Sequence, residues 1–193
     1  ALVAESVPLL RAAGDRWATG YAVRSLAYAA HHAKDYGAAR ALYAEALALG
    51  RAVGDQALVA WTHFGLGLTA LAQADPAGAR RHLAAAVARF RERGERGALA
   101  HALAGFVGLA AARGDAARAV RLAGAAAGLR AAAGVAIAPL EAADLEGWLA
   151  PARRALGAAA AAAWAAGWGM SPEQAVADAL ADAPAAGAGS RPP

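Results

Sequence analysis

The chain contains no cysteine and only one lysine, Lys34. The first absence excludes disulfides and thiolate metal sites, and nothing else argues for an oxidising compartment. Aromatic residues make up only 6% of the sequence and β-branched residues are few, which speaks against sheets. Long uncharged apolar runs are also missing. The stretch "LGAAAAAAWAAGWGM" is too short and too rich in alanine to span a bilayer, and Glu5 and Pro8 interrupt the first apolar run before it resembles a signal peptide. What is abundant is alanine, the best helix former, in 193 residues that are 59% hydrophobic. An all-α cytoplasmic protein with no membrane partner is expected. The net charge of +4 is carried almost wholly by arginine. Its densest group, from Arg80 and Arg81 through Arg89 and Arg91 to Arg93 and Arg96, reads as a solvated helix face, so nucleic acid is not an expected partner.

One passage recurs. "DYGAARALYAEALALGRAVGD" begins at Asp35, "DPAGARRHLAAAVARFRERGE" at Asp75 and "DAARAVRLAGAAAGLRAAAGV" at Asp115. Gly14, Gly54, Gly94 and Gly134 keep the same forty-residue step, and the first three precede Asp15, Asp55 and Glu95. Glycine suits the left-handed residue that ends a helix, and an acid suits the cap of the next. Each unit therefore has two breaks, with a helix of about 17 residues between them. Inside the helices Ala39, Ala79 and Ala119 are equivalent, followed by Tyr43, Leu83 and Ala123, then by Ala46, Ala86 and Ala126. Small residues at fixed positions bring backbones close, and a larger one a turn later fills the gap. A repeat of this length with two helices is the signature of an α-solenoid.

These residues resemble the tetratricopeptide repeat, which has a Leu-Gly pair in its first helix and Ala, an aromatic and Ala at fixed steps in its second. Leu66-Gly67 and Ala39, Tyr43 and Ala46 carry the likeness. The unit is about six residues longer than usual, and Ala30, Ala70 and Ala110 replace the family's first-helix tyrosine. Longer units of this kind are similar to the MalT-type helical region of large bacterial regulators. The resemblance covers residues 1–134 and implies a right-handed solenoid of antiparallel helix hairpins, seven helices through residue 133. Residues 1–13 match a second helix without its first, so the sequence is expected to be a piece of a longer protein. Pro8 is expected to bend that helix or shift its start.

After Gly134 the period stops, and residues 135–182 are expected to form a non-repeating helical cap. A helix is predicted from Leu140, interrupted near Pro151, then a short helix, a break at Gly169, and a last helix opened by the capping box Ser171-x-x-Gln174. Trp148, Trp164 and Trp168 read as apolar plugs of this cap. Residues 183–193, "APAAGAGSRPP", hold nothing to bury, and a disordered tail is expected. The pattern "RLAGAAAGLRAAAG … WAAGWGMSPEQAVADAL" is similar to the C-terminal end of bacterial ATPase-type, LuxR-like transcriptional regulators and of adenylate-cyclase-associated proteins. That likeness implies a part of a multidomain signalling protein.

No catalytic motif, nucleotide-binding loop or cofactor signature occurs in the sequence, so neither catalysis nor a cofactor is expected. A metal site is not expected either, because His31 and His32 are adjacent on one helix and should point to different faces. The family resemblance implies that first helices line a concave groove whose contact positions fall on Tyr21, Arg24, Tyr28 and His31, then Trp61, Phe64, Leu68 and Leu71, and finally His101. Tyr21, Trp61 and His101 occupy equivalent positions and are predicted to form a ladder. Aromatic and arginine side chains suit a binding surface, though the same rings suit a core. A protein, peptide or small effector in the groove is one expected partner, and a second copy of the chain is the alternative.

Overall fold

The computed structural model describes residues 2–181; the expected tail over 183–193 lies outside them. The described residues form ten α-helices and no strand. Seven come in regular succession: α1 (Leu2–Ala12), α2 (Arg16–His32), α3 (Tyr36–Ala52), α4 (Gln56–Ala72), α5 (Pro76–Glu92), α6 (Arg96–Ala112) and α7 (Ala116–Ala133). Three more follow: α8 (Pro139–Leu156), α9 (Ala159–Trp168) and α10 (Pro172–Leu180).

Each break is built the same way. At the α3–α4 break, Gly54 is left-handed at φ 72°, and Asp55 N–H donates back to Gly50 at 2.9 Å, closing the helix behind it. The same Asp55 then accepts from Leu58 N–H at 2.9 Å and starts the next helix. One residue thus ends one helix and caps another, which sets the twenty-residue step. Asp15, Asp35, Asp75 and Asp115 cap likewise. Glu95 stands at the equivalent position but makes no side-chain cap bond; its longer chain turns to Arg93 Nε at 2.6 Å. The left-handed position recurs at Lys34 (φ 63°) and Ala74 (φ 56°), where the chain has no glycine.

Consecutive helices pack as antiparallel hairpins, α2 with α3, α4 with α5, α6 with α7, stacked side by side. The architecture is the expected all-α solenoid. Ala39, Ala79 and Ala119, with Ala46, Ala86 and Ala126, are wholly buried. Leu83 fills the gap they leave: a Cβ at Gly67 or Gly105 would come within 2.7 Å of its side chain. Tyr43 fills the preceding gap against Gly65.

Of the two expectations about proline, a shifted start at Pro8 is not found, and the interruption at Pro151 is corrected. α1 begins at Leu2 and includes Pro8, with no shifted start. The carbonyl that loses its donor belongs to Ala4, which is exposed to water. Pro151 does not interrupt α8. Leu145 and Leu149 before it and Ala152 after it are all buried, so packing on both sides holds the helix together, and the freed Gly147 carbonyl is again on an exposed residue.

The last three helices have separate seats. α9 packs closely along α7, where Gly167 lies on the Arg121 carbonyl and Gly124 on the Trp164 carbonyl, leaving no room for a Cβ at either glycine. Trp148 and Trp164 pack against the core as expected, whereas Trp168 remains half exposed. α10 opens on the full capping box of Ser171 and Gln174. Its C-terminal carbonyls take arginine donors from the repeats: Arg118 bonds Asp178 and Ala181, and Arg80 bonds Leu180 at 2.6 Å. Cations at a helix C-terminus suit its dipole. α8 lies neither beside α7 alone nor at the end, but across α6 and α7 on the side facing α4 and α2.

Candidate functional site

At the N-terminal end of the groove, Asp55 ties α2 to α4. Its Oδ2 accepts from Trp17 Nε1 at 2.8 Å and from Tyr21 Oη at 3.1 Å. Burial raises the Asp55 carboxyl, but bonds from Leu58 N–H, Trp17 and Tyr21 outweigh it and hold the group below its ordinary value. Burial, and then the Asp55 carboxylate, push the Tyr21 phenol up. Arg24 is half-buried, and its Nε is buried with no hydrogen-bond partner among the described residues. Tyr28 packs edge-on against His32 at 4.3 Å, and its phenol is raised by burial and by Glu141 and Asp144 of α8.

Further along, Trp61 is surrounded by Phe90, His101 and Phe64, with ring centroids 5.1, 5.4 and 5.9 Å away. Of the predicted ladder, Trp61 and His101 are in contact, whereas Tyr21 makes its ring contact with Trp17. His101 Nδ1 lies 2.8 Å from Glu141 Oε2, a close approach without hydrogen-bond geometry. Phe64, Leu68 and His101 share a small cavity with Glu141, Asp144 and Trp148. The Trp148 ring rests on Gly108. On its far side Leu71, Gly108, Ala111, Gly147 and Pro151 line a cavity of about 420 Å³. Thus α8 sits over four of the groove positions, Phe64, Leu68, Leu71 and His101. Sequence reasoning left α8 in the cap, although Glu141, Asp144, Leu145 and Trp148 recur at helical spacing, which marks a single face.

His31 Nδ1 lies 3.1 Å from Thr69 Oγ1, and that hydroxyl donates its only proton to the Gly65 carbonyl at 2.8 Å. Burial, then His32, lower the His31 pKa. The expectation that His31 and His32 diverge is not met. One ligand atom from each and one from Asp144 lie within 4.8 Å of one another. The His32 ring packs edge-on against Tyr28, one turn back along the helix, and edge-on against His31 at 5.1 Å.

With this geometry in view, residues 20–92 match the family model of the tetratricopeptide repeat. The match takes in α2 to α5, so this region is of tetratricopeptide type. Such repeats generally serve protein–protein contacts. No curated protein and no solved structure matches the chain. Among the described residues no helix is long and apolar enough to cross a membrane.

Proposed function

We propose that the chain is a non-catalytic interaction module whose inner face binds an acidic helical segment of a partner protein, within a multidomain bacterial signalling or transcriptional regulator. The observation that carries this reading is that the inner face already holds a helix, α8, with Glu141 on His101. The adjoining stretch of Tyr21, Arg24 and Tyr28 offers a second such seat, and the half-buried Arg24 side chain supplies the cation that suits a carboxylate. The regulator as parent rests on the C-terminal sequence likeness.

The test uses labelled helical peptides with Glu and Asp along one stripe, and Gln and Asn versions as controls, read by fluorescence anisotropy. The acidic peptides should bind, and Arg24→Ala should weaken them about tenfold, the size of one charge-assisted bond. Arg51→Ala, on an exposed residue of α3, should change little. Equal binding of the neutral peptides, or no effect of Arg24→Ala, would remove the proposal. A second reading, self-assembly, is favoured by Leu2 and Leu9 of α1, which are 83% and 71% exposed. Light scattering over a concentration series, with Leu9→Glu alongside, tests it.

A further inference from the structure

We propose that His31, His32 and Asp144 form a binding site for a divalent cation of the zinc class, and that the ion clasps α8 to α2. Two imidazoles and a carboxylate make a ligand set typical of zinc. Their ligand atoms lie within 4.8 Å of one another, whereas a tetrahedral zinc with bonds near 2.1 Å holds its ligands about 3.4 Å apart. Side-chain rotations of about 1 Å close that difference.

The polar groups here are left as a metal needs them. Thr69 has spent its proton on the Gly65 carbonyl, so its oxygen accepts from His31 Nδ1–H and leaves a lone pair on Nε2. A hydrogen bond at the far nitrogen is the usual support for a metal-bound histidine. His32 Nε2 is buried with no partner, and among the described residues no hydrogen bond or ion pair fixes the Asp144 carboxylate. Beside His31 and Asp144 lies a cavity of about 210 Å³, lined also by Tyr36, Leu68, Leu71 and Trp148, with room for a water as fourth ligand. The other histidine pair serves as a contrast. His63 and His82 face each other at 3.0 Å, but the nearby charges on His63 are Arg89 and Arg51, which repel a cation.

The experiment takes the full chain without a histidine tag, stripped with chelator, and adds Co²⁺ and then Zn²⁺. One Co²⁺ per chain should bind with the visible band of a tetrahedral site, and Zn²⁺ should displace it and raise the thermal midpoint. Asp144→Asn and His32→Gln should each weaken binding by tenfold or more, and Thr69→Val by about tenfold. Asp144→Asn removes no hydrogen bond, so its midpoint in chelator should equal that of the unmutated chain. His63→Gln should bind Co²⁺ normally. Amide exchange in α8 should slow when Zn²⁺ is added. No band below millimolar cobalt, or binding that survives Asp144→Asn or is lost in His63→Gln, would overturn the site. Binding that leaves α8 exchange unchanged would overturn the clasp.

Discussion

Seven left-handed residues punctuate the solenoid, and two of them carry a side chain they would be better without. Ala74 holds φ 56° in a turn whose counterpart one unit on, Gly114, holds φ 76°. The left-handed region costs an L-residue about 1–2 kcal/mol, and glycine gives back about 0.4–1 kcal/mol through the entropy of the unfolded chain. Ala74→Gly should therefore stabilise by about 0.5–1 kcal/mol, and Gly54→Ala should destabilise by about 1 kcal/mol, read from urea midpoints. Lys34 and Ala74 also show what repeat spacing conceals. The step from Gly14 to Gly134 was legible because glycine marks it, but the breaks at Lys34 and Ala74 announced themselves only by the aspartate that follows. Backbone conformation there is fixed by the neighbouring caps, and the residue at the turn merely tolerates it.

A second residue-scale consequence concerns pH. Burial first, then His82, Arg89 and Arg51, lower His63 to about 4 from its ordinary value of 6.5. The unfolded chain therefore binds a proton between these values when the folded chain does not, and stability falls as pH drops from about 6.5 to about 4. The span corresponds to roughly 3 kcal/mol. Thermal midpoints across this range should decline more steeply for the unmutated chain than for His63→Gln. Parallel slopes would mean that His63 accepts its proton without cost.

Among the elements, α8 and α9 contain glycines of opposite character. Gly147 in α8 has open space where a Cβ would stand, so Gly147→Ala should stabilise by up to about 1 kcal/mol through helix propensity. Gly167 in α9 lies on the Arg121 carbonyl, and its replacement by alanine must lift α9 from α7. A net loss of about 1–2 kcal/mol is expected, since overpacking outweighs the propensity gain. Equal signs for the two substitutions would contradict the α7–α9 contact. The helices themselves were readable from capping residues and small-residue periodicity. Their seats after Gly134 were not, because α8 and α9 follow no template, and their partners, Gly108 and Arg121, sit far back in the chain. The uninterrupted course through Pro151 was hidden for the same reason: burial of Leu149 and Ala152 overrides a local rule.

For the molecule as a whole, the repeats supply a common core from Ala60 to Leu129 that continues into Leu145, Leu149 and Val176 of the last helices. A solenoid draws stability from neighbour contacts, so a chain ending at Gly134 should lose cooperativity as well as stability. It should melt below the full chain and bind a hydrophobic dye, because α6 and α7 lose the cover of α8, α9 and α10. A truncated chain as stable as the whole would mean that the repeats stand alone.

Stacked hairpins ordinarily behave as a soft spring, since each joint can flex a little and the small angles add. Here α8 spans the inside of the arc, with Trp148 resting on Gly108 and Asp144 reaching toward His31. It acts as a bowstring. Curvature is then set by the length of one rigid strut, and a pull along the solenoid axis meets resistance until that strut lets go. Elongation should thus be stepwise: stiff at first, then abruptly compliant once α8 leaves its seat.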